Sequence, residues 1–456
     1  MTNFVNNTIA AVATAPGAGG IAVVRVSGPA ALAIADRVFR CAGPPPSARA
    51  AGTFVYGHVH SDHDLDEAIL LIYRAPASYT REDVVEFQGH GGNTAARRLL
   101  RAVLQAGARP AEPGEFTKRA FLAGRIDLVQ AEAVMDLIQA RSDRAATAAV
   151  EQLEGTLSRA FNQLYDQLIA VAADLEASLD FEEGELPTAT LELLHNQLET
   201  IRADLANLAA GWDEGHLLRD GALAVIAGKP NVGKSTLMNA LLGKDRAIVT
   251  DIAGTTRDTL EEQLVLNGFP IRLVDTAGIR DAECGIEREG IRRARSFLSK
   301  ADLTLLIIDG SAPTDDFDHA LIEAINPQKA ILVINKIDRG QCLKEKDFTP
   351  LRSLACAVRD GLGLDALKAA IVETLHLQPL SASHQAVISE RHLQVIRELQ
   401  GLVDQAASVL QSGNESCETL AAADIRDATE KLGTITGRTY HAELLDTVFS
   451  RFCVGK

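Results

Sequence analysis

The sequence lacks the excess of positive charge that general nucleic-acid binding requires. Its 456 residues include 45 Lys and Arg against 61 Asp and Glu, which gives a formal net charge of −16. Sequence-independent binding to nucleic acids depends on basic side chains that displace counterions from phosphates. A chain this acidic is not expected to bind nucleic acids over its whole surface, and any RNA contact would need a local basic patch.

Long apolar runs and paired cysteines are also missing. No run of about 18 apolar residues occurs, and no basic segment precedes a long apolar one at the N-terminus. The six cysteines are scattered and form no C-x-x-C pair, which argues against a disulfide framework and a structural zinc site. We therefore expect a cytoplasmic protein that does not associate with membranes.

What is present is the composition of an ordinary globular protein, with 46% hydrophobic and 23% charged residues. At about 150 residues per domain, the length predicts roughly three domains. Residues 1–118 mix short apolar runs with Gly and Pro, which indicates an α/β domain. Helical spacing dominates 119–216 and 379–456, whereas 217–378 alternate strands and helices. We predict a multidomain α/β plus α protein, in which a domain with a mostly parallel sheet is inserted between two halves of a helical domain.

Apolar periodicity locates the main elements. Apolar residues recur at steps of three and four over 149–175, which predicts one long helix, and similar stripes occupy 194–208 and 393–410. Short apolar runs predict strands, and the four such runs after residue 221 are each followed by Gly, Asp or Asn. The predicted strands are 20–26, 68–73, 84–87, 222–227, 271–274, 303–308 and 331–334.

The sharpest functional signal is G-K-P-N-V-G-K-S at 228–235, which fits G-x-x-x-x-G-K-[ST] between a predicted strand and a predicted helix. In this context the motif is a P-loop, whose backbone N–H groups surround nucleotide phosphates. Lys234 is expected to reach the β- and γ-phosphate oxygens, and the Ser235 hydroxyl is expected to bind Mg²⁺.

Two further motifs complete a nucleotide site. In D-T-A-G at 275–278, Asp275 can bind the water shell of Mg²⁺ and the Gly278 N–H can approach the γ-phosphate. In N-K-I-D, the Asp338 carboxylate can accept hydrogen bonds from both N–H groups on one edge of guanine, an edge that adenine does not offer. Asn335 can contact N7, and the Lys336 stem can lie over the ring. GTP is therefore predicted rather than ATP.

The motifs do not identify the residue that would orient the attacking water. Many GTPases place Gln directly after D-x-x-G, but the apolar Ile279 stands there. Asp281, Glu283 and Glu287 follow in a Gly-containing segment, and the residues alone do not choose among them.

The segment T-D-I-A-G-T-T-R at 250–257 has the polar, Gly-containing character of a switch loop that closes around γ-phosphate and metal. Thr255 or Thr256 would be the metal ligand. From these motifs, the predicted GTP-binding residues are Asn231, Val232, Gly233, Lys234, Ser235, Thr236, Thr250, Asp251, Ile252, Ala253, Gly254, Thr255, Thr256, Asp275, Thr276, Ala277, Gly278, Asn335, Lys336 and Asp338.

Taken together, these motifs resemble the MnmE (TrmE) family of tRNA modification GTPases. The resemblance also rests on V-V-E-F-Q-G-H-G-G at 84–92, P-G-E-F-T-K-R-A-F-L at 113–122 and the terminal F-C-V-G-K, and it covers essentially the whole chain in the same order. It implies an N-terminal folate-binding and dimerisation domain and a P-loop GTPase domain inserted into the helical domain. It also implies a homodimer that works with the flavoprotein MnmG on tRNA.

The resemblance implies a reaction as well. The family uses a tetrahydrofolate derivative, 5-formyl- or methylene-tetrahydrofolate, in adding an aminomethyl or carboxymethylaminomethyl group to C5 of the wobble uridine of certain tRNAs. Its GTP hydrolysis is stimulated by K⁺, which supplies positive charge near the transferred phosphoryl group.

Carried over residue by residue, the resemblance assigns ions and a catalytic group. The Mg²⁺ ligands fall on Ser235 and Thr256, and the glutamate that orients the hydrolytic water falls on Glu287. The K⁺ ligands fall on Asn231, Thr250, Ile252 and Thr255.

The resemblance also assigns folate contacts, which fall on Arg25, Glu86, Arg125 and Lys456. A carboxylate such as Glu86 can accept from the amide-and-amine edge of a pterin, and basic groups suit a glutamate tail. Some members carry Lys where this chain has Arg125, so the point charge of those members is a planar guanidinium fork in this chain. The Ser-Ala pair that usually supports the guanine is replaced by the stretch A-C-A-V-R at 355–359.

Cys453 and His90 each have more than one interpretation. Cys453 is a candidate for a chemical role near the one-carbon site, and the alternative is a small side chain packed at a domain interface. His90, between two glycines, either maintains backbone geometry around the folate pocket or contacts the ligand.

The sequence is also compatible with two rival functions. A GTP-gated binding switch, for instance associated with RNA or the ribosome, would lack the folate site and would not depend on the C-terminal Lys456. A stand-alone folate enzyme with a regulatory GTPase domain would transfer one-carbon units without MnmG or GTP.

Overall fold

The computed structural model of the protein describes residues 7–178, 188–243, 261–275, 300–340, 342–377, 389–412 and 417–455.

The N-terminal part is built on a seven-stranded sheet that is antiparallel except for one pair. Its order is β3-β4-β5-β6-β2-β1-β7, and only β1 and β7 run parallel. The strands predicted over 20–26, 68–73 and 84–87 are confirmed, with somewhat different ends. The strands are β1 (Ile9–Val12), β2 (Ile21–Ser27), β3 (Phe39–Cys41), β4 (Thr53–His60), β5 (Asp64–Tyr73), β6 (Val84–His90) and β7 (Arg109–Pro110).

Two helices, α1 (Ala31–Val38) and α2 (Asn93–Gln105), cover one face of this sheet. The core between them includes Val24 and Val26 of β2, which are fully buried. Because side chains alternate along a strand, Arg25 points to the opposite face. There it lies directly across from Glu86 of β6 in the strand register.

A run of helices follows the N-terminal sheet. Its members are α3 (Glu115–Leu122), α4 (Leu128–Gln139), α5 (Asp143–Leu153), α6 (Thr156–Ser178), α7 (Thr188–Ala210) and α8 (Trp212–Asp220). The prediction of one helix over 149–175 is wrong, because the chain breaks between α5 and α6. Gly155 has φ +86° there, and its N–H bonds to the Gln152 carbonyl, which ends α5.

The second sheet has six strands in the order β13-β12-β11-β8-β10-β9. All neighbouring pairs are parallel except β9 and β10, so the mostly parallel sheet is confirmed. The elements are β8 (Ala222–Gly228), α9 (Lys234–Leu242), β9 (Glu261–Leu266), β10 (Phe269–Asp275), β11 (Leu303–Asp309), α10 (Asp316–Ala324), β12 (Ala330–Asn335), β13 (Arg352–Ala355) and α11 (Leu364–Thr374).

The last three helices, α12 (Glu390–Ser412), α13 (Cys417–Thr436) and α14 (Ala442–Phe449), return to the helical region. One apolar cluster joins residues of α6 and α7 to residues of α12 and α13, and the stripes over 194–208 and 393–410 contribute to it. Glu132 of α4 also accepts a hydrogen bond from Arg391 of α12, and its other carboxylate oxygen lies 2.9 Å from Nε2 of His392 in the same helix. The helical domain is therefore formed by two sequence halves that flank the parallel-sheet domain, as predicted.

The C-terminal segment returns to the N-terminal sheet. Helix α14 packs against α3 and α4 through a cluster that includes Phe121 and Phe449. Beyond it, a Cβ atom at Gly455 would lie 2.3 Å from the Val12 carbonyl oxygen, so the backbone passes directly over the end of β1. Within the described ranges, no helix is long and apolar enough to cross a membrane.

Candidate functional site

The P-loop motif forms the turn between β8 and α9. Gly228 and Gly233 have φ +148° and +110°, and Asn231 has φ +64°, a conformation that Asn tolerates better than most residues. A Cβ atom at Gly228 would lie 2.3 Å from the Ile307 carbonyl oxygen of β11. The glycines therefore allow both the turn and its close approach to the neighbouring strand.

Lys234 lies at the start of α9 with 6% of its surface exposed. Its ammonium group donates to the carbonyls of Gly228 and Lys229, at 3.0 and 2.6 Å. The charged group is thereby held inside the turn. The Asn231 side chain, in contrast, is exposed and has no hydrogen-bond partner within the described part of the chain.

Two residues predicted to bind Mg²⁺ or its water shell lie together, Ser235 in the first turn of α9 and Asp275 at the end of β10. The Ser235 hydroxyl donates to Oδ2 of Asp275 at 3.2 Å, and Asp275 is 6% exposed. A hydroxyl and a carboxylate at this separation are the oxygen donors that Mg²⁺ prefers.

The N-K-I-D motif contacts the P-loop through Asn335. Its amide donates to the Val232 carbonyl at 2.8 Å and accepts from the Val358 N–H at 3.1 Å. Because Asn335 is 4% exposed, both bonds are shielded from water. The amide therefore joins three segments that are distant in sequence, namely the P-loop, the end of β12 and the loop after β13.

Asp338 lies just beyond this junction, is exposed, and has no side-chain partner within the described residues. Lys336 donates to Asp309 Oδ2 at 2.7 Å. Partial burial would raise the pKa of Asp309, but hydrogen bonds from Lys336 and Ser311 outweigh burial and hold the pKa below its usual range. The aspartate that we predict to recognise guanine is thus free, while the motif's lysine is held by an ion pair.

The stretch that replaces the usual Ser-Ala pair lies beside this motif. The Ile337 N–H donates to the Cys356 carbonyl at 3.4 Å. Cys356 is fully buried, and burial raises the pKa of its thiol to about 11. The cysteine is therefore a packing residue, and the backbone of the stretch still meets the N-K-I-D segment.

One contact of the P-loop was not predicted. Lys229 donates to Asp318 of α10 at 2.7 Å and also pairs with Asp315. Burial lowers the pKa of Lys229, but the hydrogen bonds to these two carboxylates outweigh it and raise the pKa above its ordinary value. No sequence motif signals this pairing, because the partners are about 90 residues apart in the chain.

Part of the predicted GTP site lies outside the described residues, as do Glu287 and Lys456. The predicted GTP-site and ion-binding residues concerned are Thr250, Asp251, Ile252, Ala253, Gly254, Thr255, Thr256, Thr276, Ala277 and Gly278.

A second site lies on the open face of the N-terminal sheet. Arg25 donates to Glu86 at 2.7 Å, and both side chains are more than four-fifths buried. Arg125 donates to the Tyr79 carbonyl at 2.9 Å, and its guanidinium lies 4.7 Å from the centre of the Tyr79 ring. Arg25, Glu86 and Arg125 all line one pocket of about 670 Å³, together with Tyr73, Tyr79 and Arg81.

The electrostatics of this pocket are mixed. Burial and the nearby Glu86 carboxylate raise the pKa of Tyr73, so its phenol stays neutral. Glu86 uses Oε1 for Arg25, and its Oε2 has no partner within the described ranges. The pocket thus presents one available carboxylate oxygen beside the guanidinium groups of Arg25, Arg81 and Arg125. Its size is typical of small-molecule sites, at about 300–1,000 Å³.

Cys453 and His90 are placed differently from these residues. Cys453 is exposed, which contradicts packing of its side chain at a domain interface within the chain, and its carbonyl accepts from the Gly114 N–H at 3.4 Å. His90 does not line the pocket. Its ring bonds to Asp66 at 2.6 Å, and this hydrogen bond raises the pKa of His90.

The sequence did not reveal Tyr73, Tyr79 and Arg81 as pocket residues, and Tyr79 contacts both Arg25 and Arg125. Tyr79 lies in the loop between β5 and β6, outside every motif. An isolated Tyr in a loop rich in Ser, Pro and Ala carries no signal of its own.

The fold and the nucleotide motifs define the class of the protein as a P-loop GTPase with additional domains. Comparison with known proteins then identifies the family. The family model described as the MnmE helical domain matches residues 128–453, and the model described as the N-terminus of the GTP-binding protein TrmE matches residues 8–125.

Two relatives agree with these family models, and one solved structure is similar to part of the chain. The tRNA modification GTPase MnmE of Geobacter sulfurreducens is 43% identical and aligns with 99% of this chain and 100% of its own length. The protein of the same name from Symbiobacterium thermophilum is also 43% identical, over 98% of this chain and 99% of its own length. The G domain of the T. maritima FeoB iron transporter is 28% identical over 34% of this chain and 98% of its own, with a TM-score of 0.27. The chain belongs to the MnmE family of tRNA modification GTPases.

Proposed function

We propose that the chain is a K⁺-stimulated, Mg²⁺-dependent GTPase that acts in tRNA modification. It works as a cytoplasmic homodimer with MnmG and adds an aminomethyl or carboxymethylaminomethyl group to C5 of the wobble uridine of certain tRNAs. A tetrahydrofolate derivative, 5-formyl- or methylene-tetrahydrofolate, takes part in this reaction. The observation that carries the proposal is that one chain of this family combines a P-loop site, whose described residues lie together, with a pocket of about 670 Å³ lined by a carboxylate and guanidinium groups.

The nucleotide part rests on the residues around the P-loop. Ser235 and Asp275 lie within hydrogen-bond distance, where Ser235 would bind Mg²⁺ directly and Asp275 would bind its water shell. Asn231 is exposed and unpartnered within the described residues, so its amide oxygen is available to K⁺. Thr250, Ile252, Thr255 and Thr256 would complete the two ion sites, and Glu287 would orient the hydrolytic water.

The folate part rests on the chemistry of the second pocket. A pterin ring offers adjacent N–H donors, which the free Oε2 of Glu86 can accept. Arg25 and Arg125 offer guanidinium groups that suit the carboxylates of a glutamate tail. Lys456 would join them, because the backbone at Gly455 already lies against Val12 of the same sheet. When bound, the folate supplies the one-carbon unit, and these residues orient it.

The homodimer rests on an apolar surface of the N-terminal sheet. Phe54, Tyr56 and Ile69 are 75%, 60% and 39% exposed. Tyr56 and Ile69 are paired across β4 and β5, and Phe54 shares their face. Such a patch on an otherwise acidic chain is typical of a protein interface.

The net charge of −16 also favours a partner such as MnmG that shares the contact with tRNA.

The ion dependence tests this proposal. We expect GTP hydrolysis by the full-length protein to be at least about tenfold faster in KCl than in NaCl at equal ionic strength, because K⁺ would neutralise charge that develops on the transferred phosphoryl group. The Asn231→Ala variant should lose this difference. Asn239→Ala, which changes an exposed asparagine of the adjacent α9, should keep it.

Equal rates of the wild type in both salts would remove the K⁺ assignment. That result would favour the rival binding switch, in which the P-loop controls association and not a modification reaction.

A further inference from the structure

Helix α3 carries most of the motif P-G-E-F-T-K-R-A-F-L, which the GTP site does not use. It begins after Gly114, which has φ +67°, and its residues Glu115, Phe116, Thr117 and Arg119 are all buried. Each of these side chains faces the N-terminal sheet or the loop at 75–83. This loop forms one wall of the pocket that Arg25, Glu86 and Arg125 line, which is called the folate-type pocket.

Thr117 reaches this wall through a hydrogen bond between hydroxyl groups. Its Oγ1 lies 3.0 Å from the Tyr79 hydroxyl, and Thr117 has no exposed surface. The Tyr79 ring lies 4.7 and 5.7 Å from the guanidinium carbons of Arg125 and Arg25. This bond thus helps to orient the ring that contacts the guanidinium groups of Arg25 and Arg125.

Arg119 holds the other end of the same loop. It donates to both carboxylate oxygens of Glu82, at 2.9 and 3.1 Å. The Ser27 hydroxyl donates to Glu82 at 2.5 Å and bonds to the Thr80 hydroxyl at 2.7 Å. The loop is therefore held at Thr80 and Glu82, the residues on either side of Arg81. Thr80 directly follows Tyr79 in the chain.

This arrangement is costly as a device for stability alone. Glu115 and Arg119 are 1% and 6% exposed, and removing such charges from water costs several kcal/mol per ion before pairing repays it. Replacing a buried ion pair by well-packed apolar residues is often neutral or stabilising. Apolar residues in place of these polar groups would not fix the geometry of the loop. Hydrogen bonds are directional, and they hold the side chains of Tyr79 and Glu82 in one orientation.

We infer that Thr117 and Arg119 of α3 are positioning residues of the folate-type pocket, which hold Tyr79 and its loop in the binding geometry before the ligand arrives. The inference rests on the proposed folate function. Thr117 acts through Tyr79, and Arg119 acts through Glu82 of the same loop. Helix α3 thereby sets the position of the loop that contacts Arg25 and Arg125.

A double-mutant cycle on the full-length protein tests the link. Binding of 5-formyl-tetrahydrofolate is measured by calorimetry for Thr117→Val, Tyr79→Phe and the double variant. Each single change removes one of the two hydroxyls, and with it the same hydrogen bond, at nearly constant volume. Each should therefore weaken binding about fivefold to tenfold. The double variant should be no weaker than the singles, because both act through one bond.

Three further variants separate positioning from folding. Thr117→Ser keeps the hydroxyl and should bind within about twofold of the wild type. Arg119→Lys keeps the charge but cannot bond Glu82, Glu115 and Asn7 together, as the Arg119 guanidinium does, so it should weaken binding as well. Thr429→Val removes a buried hydroxyl in α13 and should leave binding unchanged. GTP hydrolysis should be the same in all of them.

The outcomes distinguish a failure of the positioning role from a failure of the proposed folate function. Wild-type binding with an unaffected Thr117→Val variant would overturn the positioning role while the folate function stands. Additive losses in the double variant, or a loss in Thr117→Val that Thr117→Ser does not rescue, would overturn it too. No binding by the wild type would overturn the folate assignment and this inference with it.

Discussion

Asp338→Asn is expected to lower the affinity for GTP at least about 100-fold and to raise the affinity for XTP. The aspartate can accept two hydrogen bonds from the guanine edge, whereas asparagine offers one acceptor and places an N–H₂ group against the guanine amine. Xanthine carries a carbonyl at that position, which the asparagine amide can bond. Affinities for both nucleotides are measured by equilibrium titration of fluorescent analogues.

Asp316→Asn is the matched control, because it changes an exposed aspartate of α10 in the same domain. This control should bind GTP as the wild type does. If Asp338→Asn kept wild-type affinity for GTP and gained none for XTP, Asp338 would not read the base.

Glu287→Ala is expected to keep GTP binding within about twofold while hydrolysis falls about 100-fold or more. Positioning and activating an attacking water typically contributes a factor of about 10²–10⁴ to the rate. The assignment rests on the family resemblance, since the position after D-T-A-G is Ile279, which cannot orient water. Single-turnover hydrolysis and nucleotide titration separate the two effects.

The neighbouring acids provide the controls. Asp281→Ala and Glu283→Ala remove carboxylates of the same segment and should retain most of the hydrolysis rate. If either of them lost hydrolysis while Glu287→Ala kept it, the catalytic role would belong to that residue.

The parallel-sheet domain could be predicted from sequence because its signals are local. Strands 222–227 and 303–308 are near-continuous apolar runs, as expected for strands buried on both faces. The P-loop follows the first of these directly, so its conformation is set by adjacent glycines. Asn335 and Asp338 follow a third such strand, and parallel strands bring their carboxyl ends to one edge.

The break between α5 and α6 shows where periodicity fails. Apolar spacing continues from Ala149 through Leu157 as if one helix ran on, but it records only which residues are buried. The local signal was Gly155, which reaches a left-handed conformation at little cost and so ends a helix. Here the backbone preference of one residue outweighed the pattern of its neighbours.

Contacts between distant segments could not be predicted from the residues alone. Arg25 and Glu86 each read as a solvated charge until the register of β2 and β6 places them opposite one another. The pairing of Lys229 with Asp318 and the bond between Thr117 and Tyr79 likewise depend on topology. The family resemblance supplied Arg25 and Glu86, but it gave no reason to single out Tyr79.

The most direct test of the central claim is reconstitution of the modification reaction. Full-length protein and MnmG would be incubated with tRNA that lacks the wobble modification, together with GTP, Mg²⁺, K⁺, methylene-tetrahydrofolate and ammonium or glycine as the amine. Mass spectrometry of the tRNA nucleosides should show the aminomethyl or carboxymethylaminomethyl group on the wobble uridine with GTP, and none with a non-hydrolysable analogue. Unmodified uridine under conditions in which another MnmE supports the reaction would contradict the account.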